Sequence, residues 1–92
     1  MILKELLGET ARIKILEEML DYSDEYLSIE EISTMAEVPN KIVHKHMEKL
    51  EAIGLLSIEK EDNICKFKLK DDDERVLALK LIESNEYLRQ LS

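Results

Sequence analysis

Three lysines recur at a helical spacing in the middle of the chain. Lys41, Lys45 and Lys49 are each four residues apart, so on a helix they form one stripe. Like charges at this spacing repel one another, and an anion such as a phosphate would relieve that repulsion. The alternative is a solvated helix face that pairs with acids of a neighbouring helix. The stripe therefore indicates either an anion-binding surface or an ordinary exposed face.

The residues around this stripe have side chains that can contact a nucleic acid. Asn40 can hydrogen-bond to an adenine edge, but beside Pro39 it also suits the start of a helix. His44 changes charge near neutral pH and can contact a base or a phosphate. His44 and Glu48 supply only half of a metal site, so no metal ligands are predicted. His46 lies about 200° around the helix from His44 and is predicted to be partly buried and hydrogen-bonded to a neighbour.

A second basic segment follows, in which lysines alternate with apolar residues: Cys65, Lys66, Phe67, Lys68, Leu69 and Lys70. This alternation predicts a strand with one buried face and one lysine-lined face. The lysines can contact phosphates beside a groove, or they can discourage pairing at the strand edge. The acidic segment Glu59–Asp62 slightly favours the second interpretation. Cys65 is predicted to be buried beside Phe67, with a redox-sensing thiol as the alternative.

The chain contains no sequence motif of a known catalytic site. A Gly-rich phosphate loop, a nucleophile elbow and an HExxH pair are all absent from the sequence. The many carboxylates lie in segments with the pattern of amphipathic helices, where a solvated face is the usual explanation. We therefore predict that the protein is not an enzyme, and we expect no catalytic residue, cofactor or metal.

Charge is distributed unevenly along the chain. The net charge of −8 opposes nucleic-acid binding unless the positive charges gather on one face. Residues 15–40 carry eight acids and no Lys or Arg, whereas residues 40–50 carry three lysines and one acid.

The 92 residues fit one small domain. No apolar run is long enough to cross a bilayer, and the single cysteine fits a reducing compartment, so a cytoplasmic protein without a membrane partner is expected.

Apolar residues at helical spacing predict three helices in the first part of the chain. The first spans about residues 10–22. Ser28 and Glu31 form a capping box that begins a short second helix. That helix is expected to end before Pro39, since the residue preceding a proline disfavours helical backbone. The third helix spans about residues 39–53, and together with the second it has the pattern of a helix-turn-helix.

After Gly54 the apolar period changes from helical to alternating, which predicts a two-stranded hairpin with a polar tip at residues 60–63. Acids at residues 71–74 favour the start of a final helix. The predicted fold is mostly α with a small β-hairpin wing, a winged helix-turn-helix with a three-helix core, a two-stranded wing and a C-terminal helix. Residues 1–70 are predicted to form the winged-helix unit, and residues 71–92 a dimerisation helix of the same domain.

The last helix is the predicted surface for a second copy of the chain. Four leucines follow one side of it: Leu77, Leu81, Leu88 and Leu91. A small domain cannot cover so long an apolar strip, and the leucines at positions 3, 6 and 7 are expected to extend it. A symmetric homodimer would bury the strip and set two copies of the third helix one turn of DNA apart.

Three segments of the chain resemble the ArsR-like winged-helix transcriptional regulators of bacteria and archaea. They are LLGETARIKIL from Leu6, SIEEI from Ser28 and VPNKIVHKHMEKLEAIGLL from Val38. The segment Phe67–Leu69, which runs into an acidic cap and a terminal helix, is also similar. The resemblance covers roughly residues 6–85.

The resemblance implies that the third helix binds in the major groove of DNA. The groove-facing positions would be Asn40, Lys41, Ile42, His44, Lys45 and Glu48, and the core positions Val43, Met47 and Leu50. The chain departs from the family in two places: Ile42 replaces a small hydroxyl residue, and the wing tip is acidic. It also has no cysteine in the third helix, which argues against the family's metal-sensing branch.

Two functional hypotheses follow. The first is a homodimeric regulator that binds double-stranded DNA through the third helix, with Lys66 and Lys68 as further contacts. The alternative is a winged-helix module that binds proteins of the transcription or replication machinery through its acidic first and second helices. Neither hypothesis names an operator or an effector.

Overall fold

The fold consists of four helices and a small antiparallel sheet. The computed structural model describes the backbone of residues 10–91 and the side chains of residues 10–82 and 84. The elements are α1 (Ala11–Asp21), β1 (Leu27–Ser28), α2 (Ile29–Ala36), α3 (Asn40–Ala52), β2 (Leu56–Glu61), β3 (Ile64–Leu69) and α4 (Glu74–Leu91). The predicted order of helices and hairpin is confirmed. The leucines at positions 3, 6 and 7, which we expected to extend the apolar strip, lie outside the described residues.

Helix α1 begins where its sequence supplies a cap. Thr10 has extended backbone, and its hydroxyl accepts a hydrogen bond from the amide of Ile13 at 3.2 Å. Ile15 and Met19, four residues apart, are fully buried and face the other helices. This helix forms the base on which the helix-turn-helix packs.

The predicted capping box at the start of α2 is confirmed. The Ser28 hydroxyl accepts from the amide of Glu31 at 3.1 Å, and the Glu31 carboxylate accepts from the amide of Ser28 at 3.0 Å. The hydrogen bond from the Ser28 amide lowers the pKa of Glu31, because it stabilises the charged carboxylate. Helix α2 ends where Glu37 takes left-handed backbone, and a three-residue turn through Pro39 leads into α3.

The sheet has three strands in the order β1-β3-β2, one more than predicted. Strand β1 is only two residues long and places Leu27 opposite Phe67 and Ser28 opposite Lys66. The hairpin turn is also tighter than predicted. Asp62 and Asn63 both have positive φ, of 50° and 64°, which is the backbone of a two-residue type I′ turn. Strand β2 therefore continues through the first half of the predicted polar tip, to Glu61.

The core lies between the three N-terminal helices and the base of the sheet. Its largest fully buried side chains are one acid, Glu17 of α1, and apolar residues of α1, α2, α3, β3 and α4: Ile15, Met19, Ile32, Val43, Met47, Leu69 and Val76. Val76 joins the beginning of α4 to this core. Over the described residues, no helix combines the length and the apolar character that crossing a membrane requires.

A guanidinium joins the end of α3 to the beginning of α4. Arg75 Nη2 donates to the carbonyl oxygen of Ile53 at 2.8 Å and to Asp73 Oδ2 at 2.9 Å. The hydrogen bonds from Arg75 hold the pKa of Asp73 at about 2. Gly54, between these elements, has a φ of 79°, which explains why glycine occupies the turn. The geometry of the two helices is thus fixed by hydrogen bonds as well as by packing.

Two predictions about individual side chains need correction. Cys65 is exposed, not buried beside Phe67, because the hairpin extends past the helices and its outer half has nothing to pack against. Ile58 and Ile64 are exposed in the same part of the wing. His46 is partly buried as predicted, but its Nδ1 atom has no hydrogen-bond partner within the described part of the chain.

Candidate nucleic-acid interface

The outward face of α3 presents the three lysines of the predicted stripe. Lys41, Lys45 and Lys49 are all exposed, whereas Val43 and Met47 attach the opposite face to the core. Within the described part of the chain, none of the three ammonium groups takes part in an ion pair. The predicted pairing with acids of a neighbouring helix is therefore not seen there, and the stripe presents positive charge to the solvent.

The stripe is flanked by an apolar residue on one side and a polar pair on the other. At about 100° per residue, Ile42 and His44 lie on opposite sides of the lysines. Ile42 is 37% exposed, and Asn40 is exposed at the first turn of the helix. His44 Nδ1 is 3.1 Å from Glu48 Oε1, so these two side chains pair with each other. Among the described residues, no group of three His, Cys, Asp or Glu side chains is placed to hold a metal ion.

A further positive charge beside α3 comes from α1. Burial lowers the pKa of His46, and the charges of Arg12, Lys49 and Lys45 lower it further. Arg12 is exposed and is close enough to this histidine to act on it electrostatically. Periodicity within one helix cannot identify such a residue, because its proximity depends on how α1 packs against α3.

The lysines of β3 have acidic neighbours. Lys66 lies opposite Glu59 in the sheet register, and its charge also acts on Glu31. Lys68 Nζ is 3.2 Å from Asp71 Oδ2 and 5.7 Å from the centre of the Tyr26 ring. On the predicted lysine-lined face, Lys68 is therefore paired with a carboxylate, whereas Lys66 is exposed and forms no ion pair among the described residues.

The wing tip adds negative charge where a DNA-binding wing would be expected to add positive charge. Glu59, Glu61 and Asp62 are exposed, and Lys60 alone opposes them within the tip. Asp71 forms ion pairs with Lys80, at 3.1 Å, and with Lys68, so these lysine charges at the base of the wing are also balanced by a carboxylate. Within the described part of the chain, α3 and Arg12 therefore carry positive charges that take part in no ion pair and lie away from the acidic wing tip.

Helix α4 exposes apolar residues on the side away from Val76. Leu77 and Leu81, four residues apart, are 46% and 62% exposed, and Ile82 beside them is 41% exposed. Leu88 and Leu91 belong to the same helix, but their side chains lie outside the described residues. The first half of the predicted dimerisation strip is therefore on the surface.

These features define the class of the fold. A three-residue turn joins α2 to α3, α3 exposes one face, and a β-hairpin follows it with a further helix. This arrangement is a winged helix-turn-helix, in which the second helix of the motif is the one that enters a major groove in DNA-binding members. The class includes both DNA-binding and protein-binding modules.

Solved structures of winged-helix transcriptional regulators share this fold. Reduced HlyU from Vibrio cholerae superposes with a TM-score of 0.67 at 24% identity, over 89% of this chain and 84% of that one. The homodimeric winged helix-turn-helix DNA-binding domain of Mb0332 from Mycobacterium bovis, a possible ArsR-family regulator, gives 0.64 at 20% identity, over 87% and 72%. The adhesin competence repressor AdcR from Streptococcus pyogenes gives 0.65 at 14% identity, over 85% and 60%. The chain thus spans only about three fifths of AdcR.

No protein-family model matches the chain, and no curated protein matches it in sequence. At these levels of identity, the similarity to solved structures shows the winged-helix fold and no more. The ArsR-like resemblance of the sequence therefore remains an expectation about the family.

Proposed function

We propose that the protein is a homodimeric transcriptional regulator that binds double-stranded DNA with α3 in the major groove. The observation that carries the proposal is the stripe of Lys41, Lys45 and Lys49, which is exposed and has no ion pair among the described residues. A winged-helix regulator needs positive charge on this helix face, because phosphates flank the groove on both sides. The DNA-binding domain of Mb0332, which shares the fold, is a homodimer.

Each residue of the interface has a role that follows from its chemistry and position. Lys41 and Lys45 neutralise phosphates, while Asn40 and His44 lie at the first turns of α3, where side chains reach base edges. Lys66 and Lys68 are secondary contacts, because Lys68 is already paired with Asp71 and Lys66 lies opposite Glu59 in the sheet. The proposal includes no catalytic step, cofactor or metal, and it places the regulator in the cytoplasm.

The salt dependence of DNA binding tests this assignment. Each neutralised phosphate contributes about 0.9 to the slope of log affinity against log salt. Replacing Lys41 and Lys45 by alanine in both copies of a dimer should therefore reduce the slope by roughly 3 to 4. The binding sequences come from selection in a random duplex pool, and the slope is measured by fluorescence anisotropy.

A matched control is Lys60→Ala, which removes an exposed lysine from the acidic wing tip. This variant should keep the slope of the parent protein. An unchanged slope in the Lys41→Ala/Lys45→Ala protein would reject the assignment of α3 as the interface.

The dimer is tested separately through α4. Leu77→Ser/Leu81→Ser removes the exposed apolar pair without touching the core, so the chain should sediment as a monomer and bind half of a palindromic site. Ile64→Ser is the control, since Ile64 is equally exposed but lies on the wing. If both variants sediment like the parent protein, α4 is not the dimer interface.

The acidic surface favours a second candidate function. The exposed acids of the wing tip and of α2, together with exposed Ile42, suit a module that binds a basic protein surface. Retention on random duplex DNA at low salt distinguishes the two functions. A regulator is retained, and Lys41→Glu/Lys45→Glu releases it, whereas a protein-binding module passes through the column in both forms.

A further inference from the structure

Ile42 is an exposed apolar side chain within an otherwise charged and polar helix face. It follows Lys41 directly and lies one turn before Lys45, on the side of the stripe away from His44. Its exposed fraction of 37% contrasts with that of its neighbour Val43, which is fully buried. Packing in the core therefore does not explain why an apolar side chain occupies this position. A β-branched residue is also not the one that an exposed helix position favours.

The chemistry of the major groove offers one apolar partner at the base edges. Guanine, adenine and cytosine present hydrogen-bond donors or acceptors there, whereas thymine presents its C5-methyl group as well as an acceptor. Isoleucine can neither donate nor accept a hydrogen bond beyond its backbone. An isoleucine that reaches base edges can therefore discriminate bases only by contact with this methyl group.

The position of Ile42 on the helix fits such a contact. It lies in the first turn of α3, the half of a recognition helix that approaches the bases. Lys41, directly before it in the chain, and Lys45, one turn after it, would hold phosphates and fix the distance between helix and groove. A β-branched side chain in a helix also has one strongly preferred χ1 angle, so little conformational freedom is lost when it binds.

We propose that Ile42 is a specificity-determining residue that contacts the C5-methyl group of a thymine in each half-site. This inference rests on the proposed function and adds to it the class of base that is selected. Lys41 and Lys45 provide affinity for duplex DNA in general, and Ile42 makes that affinity depend on a thymine at one position.

The test compares thymine with deoxyuridine, which forms the same base pair but has no methyl group. The probe is the best duplex recovered from a random pool, in which each thymine is replaced by deoxyuridine in turn. Losing contact with one buried methyl group should weaken binding about fourfold, and about fifteenfold when both half-sites of a dimer are changed. One thymine in each half-site should show this effect, and Ile42→Ala should remove the difference between thymine and deoxyuridine there.

Ile53→Ala is the matched control, because Ile53 is 55% exposed at the far end of the same helix. This variant should keep the full sensitivity to deoxyuridine. Ile42→Val, which removes one methylene, should keep part of it, and circular dichroism confirms that each variant is folded. The thymine–deoxyuridine comparison in the parent protein needs no variant at all.

Three results overturn the proposal. If no thymine is sensitive to the replacement, no methyl group is read. If Ile42→Ala weakens both duplexes equally, Ile42 has a structural role, and the proposed function still stands. If the parent protein binds no duplex at all, the proposed function fails together with this inference.

Discussion

The two lysine groups of this protein have the same size and opposite surroundings. Helix α3 carries Lys41, Lys45 and Lys49, all exposed and without an ion pair among the described residues. Strand β3 carries Lys66, Lys68 and Lys70. Of these, Lys68 forms an ion pair with Asp71, and Lys66 lies opposite Glu59 in the sheet register without an ion pair among the described residues. The sequence shows six similar charges, and the fold places carboxylates next to two of those on β3.

The difference shows that a count of basic residues does not measure the charge available to an anion. A lysine that already contacts a carboxylate must break that contact before it binds a phosphate, and the net gain is then small. A protein with a net charge of −8 can therefore still present a positive surface, provided that its acids compensate other lysines first.

The largest expected effect comes from removing charge from each group in turn. Lys41→Gln/Lys45→Gln should weaken duplex binding at physiological salt by at least about a hundredfold, because about four phosphate contacts are lost per dimer. Lys66→Gln/Lys68→Gln should change the salt slope by less than about 1. Anisotropy titrations over a range of salt concentrations measure both. Equal losses from the two variants would mean that the wing lysines are as available as those of α3.

A smaller effect is expected where the two regions meet. Ser28 caps α2 and also pairs with β3, so it belongs to both the helix-turn-helix and the wing sheet. Ser28→Ala should lower the free energy of unfolding by about 1 kcal/mol through loss of the cap. The salt slope should stay unchanged, since no charge is removed from α3. Urea denaturation measures the stability.

Ser57→Ala is the control for this cap, because Ser57 lies on β2 and makes no side-chain hydrogen bond within the described residues. Its unfolding free energy should match that of the parent protein. If Ser28→Ala also lowers the salt slope, the cap controls the interface as well as the stability.

The smallest expected effect is a pH dependence of stability that comes from His46. The folded state holds the pKa of His46 below 6.5, chiefly through burial and then through Arg12, Lys49 and Lys45. The unfolded chain therefore binds this proton more tightly, and the free energy of unfolding should fall as the pH drops below about 6.5. His46→Gln should remove this dependence, whereas His44→Gln should keep it.

The same histidine distinguishes free from compensated lysines. In Lys45→Ala/Lys49→Ala the pKa of His46 should rise towards that of free histidine, and an NMR titration of the ring measures it directly. A pKa that does not move in this variant would mean that burial and Arg12, and not the α3 lysines, lower the pKa of His46.

The local features of this fold could be predicted from the sequence because each depends on residues close together in the chain. The capping box of Ser28 and Glu31 spans four residues, and the buried face of α3 repeats Val43, Met47 and Leu50 at helical spacing. Strand β1 was missed because two residues are too few to show the alternation of a strand. Ser28 was also already explained by its role as the cap of α2.

Features that depend on tertiary contacts could not be predicted in the same way. The alternation of apolar residues and lysines correctly predicts that Cys65 is on the same side of the strand as Phe67. It does not predict where along the strand the helices stop covering that side, and Cys65 lies beyond this point. The contact of Lys68 with Tyr26 joins residues far apart in the chain, and so does the effect of Arg12 on His46. The sequence therefore locates the candidate interface, and the fold decides which of its charges are free.

The bridge made by Arg75 has a consequence for operator geometry. Its guanidinium contacts both the carbonyl that follows α3 and the carboxylate that precedes α4, so one side chain links the proposed groove-binding helix to the proposed dimerisation helix, in addition to the packing of Val76. In a dimer formed through α4, the separation of the two groove-binding helices would be set at this joint. The number of base pairs between half-sites would then be encoded by an arginine that touches neither the DNA nor the partner subunit.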